Sequence, residues 1–226
     1  MTDREINLDF DRSQRIGIGE AVFCTGKSLS QIDHILQQAR KAGSAMLVTR
    51  LAPTKHEQLD AEHRALIDYD PVSQTGFFQT RTEPVESPGV AIVTAGTSDV
   101  WVAREAARTL EFNRIASTCI FDVGVAGLWR LTERIEEIKS CPIVIAVAGM
   151  DAALVSVLGG LVPGLLIAVP TSTGYGAARQ GETALAASLV SCSSGVVVCN
   201  IDNGYGAACA AMRAIQAAKI INVSNR

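Results

Sequence analysis

From Gly89 onward, short apolar runs alternate with longer amphipathic stretches, and this alternation predicts the fold. Residues 90–93, 117–121, 143–147, 165–169 and 196–200 are too short for helices and are bounded by glycine-containing turns, so they read as strands. Residues 100–111, 127–138, 151–158, 178–190 and 206–219, between or after them, read as helices. Strands that are apolar throughout belong to a parallel sheet covered on both faces. Residues 89–226 are therefore expected to form a doubly wound parallel α/β domain of the three-layer, flavodoxin-like kind, with ligands bound beyond the carboxyl ends of its strands. The run at 196–200 reads as an interior strand.

Residues 1–88 have a different texture and read as a separate small α/β domain ending in a proline-punctuated segment at Pro84 and Pro88. Gly26-Lys27-Ser28 precedes an amphipathic stretch running to Lys41, residues 45–49 read as a strand, and residues 55–67 as a further helix. The three histidines, His34, His56 and His63, all fall in this part.

Composition narrows the function classes. With 48% hydrophobic and 19% charged residues the chain is that of an ordinary globular protein. A net charge of -3 without a Lys/Arg block argues against a nucleic-acid surface. Residues 143–170 contain a single charge, Asp151, yet glycines and Pro163 divide them into two short runs with a helix between, so no membrane span is expected. The six cysteines lack the close pairing of a zinc knuckle, and no signal segment precedes them, so a cytoplasmic location with reduced thiols is expected.

Each predicted strand of the larger domain is followed by a glycine-rich loop bearing an acid or a hydroxyl. Gly96, Thr97, Ser98 and Asp99 follow the first, where backbone amides and a helix N-terminus suit a phosphate; Ser98 or Asp99 acting as an N-cap is the alternative. Gly124 and Gly127 lie after the second strand, Asp151 after the third, Gly174, Tyr175, Gly176 and Arg179 after the fourth, and Asp202, Asn203 and Gly204 after the fifth. No histidine lies beyond His63, so a histidine-based triad within the larger domain is excluded and the general base must be another group. Asp151, inside the most apolar segment, is expected to be desolvated with a raised pKa; capping the following helix is its alternative role. Cys192, in Ser-Cys-Ser-Ser-Gly between a helix and a strand, is the cysteine best placed to be reactive, while Cys119, Cys141 and Cys199 lie on or beside strands.

Taken in order, these loops resemble those of the PurE family of aminoimidazole ribonucleotide mutases and carboxylases. They resemble still more closely those of the LarB family, the pyridinium-3,5-biscarboxylic acid mononucleotide synthases of nickel-pincer cofactor assembly. Residues 94–99, 122–127, 148–151, 170–176 and 191–206 carry the likeness, and Leu8-Asp9-Phe10-Asp11-Arg12 with Gly26-Lys27 extends it to the N-terminal part. The resemblance implies carboxylation of the pyridinium ring of nicotinic acid adenine dinucleotide by carbon dioxide or bicarbonate, with anhydride hydrolysis releasing AMP. It implies Cys192 as covalent nucleophile, Asp151 as base, and Gly96 to Asp99 with Gly174, Tyr175, Gly176 and Arg179 as phosphate contacts. It further implies a homo-oligomer, an octamer in both families, with no resident cofactor and with magnesium for the hydrolysis left open. The chain departs from the LarB pattern where Asp151 replaces a usual glutamate, Leu128-Trp129-Arg130 replaces isoleucine-histidine-arginine, Val155 replaces a proline, and 179–183 replaces a small-residue run. An aminoimidazole ribonucleotide carboxylase or mutase, and a nucleotide-binding regulatory protein without catalysis, are the competing readings.

Overall fold

The computed structural model describes residues 5–80 and 89–224, and the chain divides into two compact units, Met1–Glu83 and Pro84–Arg226. The proline-punctuated segment around Pro84 and Pro88 lies outside the described residues.

In the first unit α1 (Arg12–Ile16) precedes β1 (Ala21–Phe23), and α2 (Leu29–Lys41) connects β1 to its parallel neighbour β2 (Met46–Thr49). The predicted helix over 55–67 is instead two short helices, α3 (Pro53–Gln58) and α4 (Ala61–Ala65), followed by β3 (Ile67–Asp70) and β4 (Thr75–Phe78). Leu59 is extended and Asp60 accepts a hydrogen bond from the Glu62 amide, which ends one helix and starts the next. The sheet order is β1-β2-β4-β3, with β4 antiparallel to both neighbours. Helix α2 starts at Ser28, whose hydroxyl accepts from Gln31 N while the Gln31 side chain accepts from Ser28 N. It buries Ile32, Ile35, Leu36 and Ala39 against Val22, Met46, Val48 and Phe78.

The second unit is the expected doubly wound sheet. Its elements are β5 (Val90–Thr94), α5 (Val100–Phe112), β6 (Ser117–Ile120), α6 (Leu128–Lys139), β7 (Ile143–Ala148), α7 (Ala153–Gly159), β8 (Leu165–Pro170), α8 (Glu182–Leu189), β9 (Val197–Val198) and α9 (Gly204–Ser224). The strand order β6-β5-β7-β8-β9, all parallel, is the flavodoxin-like 2-1-3-4-5 arrangement. Every residue of β5 and β7 is buried, as strands covered on both faces require. The run at 196–200 is a two-residue strand at the sheet edge, not an interior strand, and Val197 is exposed. Of the predicted helix 178–190 only α8 is regular; the turn before it is interrupted by left-handed Arg179 (φ 46) and Gln180 (φ 54). Val155, at the usual proline position, is a fully packed core residue.

Candidate active site

The connection from β5 runs to β6 on one side and that from β7 to β8 on the other, so the loops after these two adjacent strands diverge and leave a crevice, the switch point at which such sheets bind ligands. A cleft of about 590 Å³ opens there. It is lined by Gly96, Thr97, Ser98 and Asp99 after β5, by Asp122, Gly124 and Arg130 after β6, by Gly149, Met150 and Asp151 after β7, and by Thr173 after β8.

The loops are fixed to one another rather than left free. Asp99 is 2% exposed; its Oδ2 accepts from Gly96 N at 2.9 Å and its Oδ1 from the buried Thr171 hydroxyl at 2.6 Å. The acid read as a phosphate contact is thus a tie between two loops, and it closes its own turn. A Cβ at Gly149 would lie 2.5 Å from Thr173 O, so the loops after β7 and β8 touch backbone to backbone, held by Met150 N donating to Thr173 O at 2.9 Å. Gly124 meets Ala95 O in the same way. Asp122 (φ 58), Met150 (φ 55) and Ala152 (φ 50), all lining the cleft, are non-glycine residues in the left-handed region. Such conformations persist where the surroundings enforce them, and they gather at binding sites.

Asp151 lines the cleft but is exposed, so the expected desolvation is not found. Its apolar sequence neighbours enter the sheet and α7, while the 149–152 turn carries Asp151 to the surface, where Oδ1 accepts from Ala153 N at 3.2 Å. Gly174, Tyr175, Gly176 and Arg179 do not line the cleft, and Tyr175 is 82% exposed. Gly127 packs against the Arg130 side chain. Asp202 and Asn203 fasten the chain: Asp202 Oδ1 accepts from Ser172 N at 2.8 Å, and Asn203 Oδ1 caps α9 by accepting from Gly206 N at 2.7 Å. Gly204 is required by close packing on the α5 backbone, with Val102 O only 2.3 Å from a Cβ built there. The buried Glu105 carboxylate on α5 accepts from Tyr205 N at 3.2 Å.

Cys192 is exposed and lies in the loop between α8 and β9, beyond the amino ends of the strands. The flanking Ser191 and Ser193 bond to Ser156 of α7, and Ser193 packs on Gly159 at the end of that helix. The cleft is at the other end of the sheet, one strand length away; β7 and β8 run six residues each, or roughly 20 Å. Cys192 and Asp151 of one chain are therefore not brought together, and β9 likewise separates Cys192 from Asp202. Asp122, in a segment that carries the family likeness, and Arg130, just after that segment, were not singled out as site residues; both line the cleft and pair at 2.9 Å. The signal for the pair itself was opposite charge eight positions apart on the two sides of one glycine-rich loop.

A model of the LarB/PurE-like N-terminal domain matches residues 4–80, and a model of AIR carboxylase matches residues 89–225. The chain belongs to the LarB/PurE-like family. This makes it a member of an enzyme family of carboxylases and mutases, with a LarB-type domain preceding the PurE-like one. An uncharacterized protein of Methanocaldococcus jannaschii is 38% identical to this family member over 216 residues, covering 91% of this chain and 82% of that protein. The crystal structure of a Treponema denticola PurE2 variant aligns at a TM-score of 0.45 and 19% identity, over 62% of this chain and 98% of that one. Among the described residues no helix is long and apolar enough to cross a membrane.

Proposed function

We propose that this protein carboxylates the pyridinium ring of nicotinic acid adenine dinucleotide and hydrolyses its phosphoanhydride, releasing AMP. The observation that carries this substrate over an aminoimidazole ribonucleotide is the joining of a LarB-type domain to the AIR carboxylase-type domain in one chain. The cleft suits a phosphorylated ligand: backbone amides and hydroxyls of Thr97 and Ser98 at the start of α5, and the Arg130 guanidinium across from them.

A pyridinium ring is electron-poor and does not attack carbon dioxide. Addition of the Cys192 thiolate to a ring carbon places its electron pair in that new C–S bond and converts the ring to a dihydropyridine, whose neighbouring carbon is enamine-like and nucleophilic. That carbon bonds to carbon dioxide. A base, assigned here to Asp151, then takes the proton from the carboxylated carbon; the C–H electrons restore the ring and the thiolate leaves with the C–S pair. Water added across the anhydride yields AMP and the mononucleotide. Among the described residues no three His, Cys, Asp or Glu side chains gather as metal ligands, and no step is routed through a magnesium ion.

The separation of Cys192 from its own cleft has a direct consequence for this chemistry. The thiol must be delivered by a second copy, so the working unit is a homo-oligomer. The amino end of the domain supports such a contact. Leu189 and Val190 beside the Cys192 loop are exposed, as are Ile220, Ile221 and Val223 on α9. Helix α9 has 21 residues, roughly 31 Å, and outruns the sheet it packs on. Exposed apolar surface of this kind marks interaction sites.

The test is incubation with nicotinic acid adenine dinucleotide and labelled bicarbonate. AMP release, label in the mononucleotide and a mass-detected adduct on Cys192 are expected. Folded protein that gives neither AMP nor adduct, or that instead turns over an aminoimidazole ribonucleotide, contradicts the reading.

A further inference from the structure

Asp122 and Arg130 face the cleft as an ion pair whose two members are held by different parts of the fold. Asp122 follows β6 in a left-handed conformation, with its N–H donating to the hydroxyl of fully buried Thr94 at 3.0 Å, while the next residue, Val123, donates to Thr94 O at 3.0 Å. Its backbone is thereby anchored to the end of β5. Arg130 sits in the first turn of α6, and its guanidinium packs against Gly127, where a Cβ would come within 2.8 Å of Nε. Nη1 is 2.9 Å from Asp122 Oδ2, and Nη2 reaches Gly124 O at 3.5 Å.

A half-exposed pair of this kind adds little to stability, because water screens it and two side chains must be ordered to form it. It nevertheless fixes the one cationic side chain among the described residues lining the cleft; the other charged residues there are Asp99 and Asp151. A guanidinium has five N–H donors. One is engaged by Asp122 and one, at the limit of hydrogen-bond distance, by Gly124, which leaves donors for a phosphate or carboxylate oxygen.

We propose that Asp122 is a positioning residue: it sets the Arg130 guanidinium against the cleft wall so that the remaining donors meet an anionic group of the ligand. This rests on the dinucleotide reading above. Asp122 makes no ligand contact itself and acts through Arg130. Its effect on binding therefore vanishes when Arg130 is removed.

The left-handed backbone dictates the variants. Asparagine and glycine both adopt that conformation readily, so Asp122→Asn keeps an acceptor oxygen at the position and Asp122→Gly deletes it without straining the turn. Calorimetric titration with nicotinic acid adenine dinucleotide is carried out on the wild type, both variants, Arg130→Ala and the Asp122→Gly/Arg130→Ala double variant, with melting temperatures confirming that each is folded. We expect Asp122→Gly to weaken binding about tenfold, Asp122→Asn to restore most of it, and the double variant to bind no worse than Arg130→Ala alone, the non-additivity of residues acting as a unit. A role confined to holding the loop together gives an additive double variant, and that outcome overturns the proposal, as does binding by Asp122→Gly that equals or exceeds the wild type. A folded wild type that does not bind the dinucleotide overturns the dinucleotide reading itself and this proposal with it. Binding by the wild type together with additive variants sinks the proposal alone.

Discussion

At the carboxyl ends of β5 to β8 each loop is tied to a neighbour: Asp99 to Thr171, Gly149 to Thr173, Asp122 to Thr94 and Arg130, Ser172 to Asp202. At the amino ends, the loop bearing Cys192 bonds to a single helix, α7, and leaves its thiol and the adjacent Leu189 and Val190 exposed. One end of the sheet is a cleft whose loops hold one another in place. The other presents an exposed thiol. The difference teaches that accessibility and rigidity have been divided between the two ends of one domain, and the mechanism proposed above, which needs both, would unite ends from different copies.

The largest effect falls on the outward-facing end. Cys192→Ser is expected to reduce carboxylation and adduct formation to background while dinucleotide affinity stays near wild type, read by AMP release and calorimetry. Loss of binding in that variant would mean the two ends are not divided in this way.

The receptor end is broken by loosening its ties. Thr171→Val deletes the donor to the buried Asp99 carboxylate, and a buried bond to a charged group is worth about 2 kcal/mol. A fall in melting temperature of roughly 5 °C is expected, with weaker dinucleotide binding. Gly149→Ala forces a methyl into Thr171 and Thr173, with a cost of about 1–3 kcal/mol, measured by urea unfolding.

A smaller, sharper contrast is in the thiols. In the first unit Cys24 is fully buried, and burial pushes its pKa up to about 12, so almost no thiolate forms near neutral pH. Iodoacetamide at pH 8 is expected to label Cys192 in the folded protein and to leave Cys24 unmodified until denaturant is added, as read by peptide mass spectrometry.

The smallest effect is a pH dependence confined to the first unit. His56 stacks on Tyr69 with ring centroids 4.0 Å apart, and burial, aided by the Arg64 charge, lowers its pKa below the usual 6.5 or so. The unfolded chain then binds the proton more readily than the folded one. Stability is full above about pH 6.5 and declines as the pH falls through that value. His56→Phe is expected to flatten the decline in melting temperature between pH 7.5 and 5.5, roughly the range over which an unperturbed histidine titrates.

The parallel sheet was legible because strands buried on both faces are apolar at every position, a pattern that needs no partner to recognise. The first unit was less so. Ile67-Asp68-Tyr69-Asp70 and Thr75-Gly76-Phe77-Phe78 are short, with acids or a glycine inside them, and their strand character comes from pairing with each other. The glycine-rich loops after β5, β6, β7 and β8 do contribute residues to the cleft, yet several residues of these and the last loop serve the loops themselves: Asp99, Gly124 and Asn203 close turns or permit contact between neighbours. The desolvation expected of Asp151 is absent because its neighbours in sequence are buried and it is not. Cys192 and Asp202 are ten positions apart and at opposite ends of the domain, since a strand between two loops separates them however short their sequence distance. Asp122 and Arg130 lay in or next to a motif segment, yet their pairing was revealed only by the geometry of the turn.

The division of labour between the two ends is tested most directly by mixing copies. Cys192→Ser and Asp151→Asn proteins, each folded and each inactive alone, are combined, dissociated and reassembled, and AMP release with label incorporation is measured. If the thiol of one copy serves the cleft of another, activity reappears in the mixture, because some clefts with an intact Asp151 then face an intact Cys192. A reassembled mixture that stays at background, while wild-type protein treated identically recovers its activity, contradicts the account.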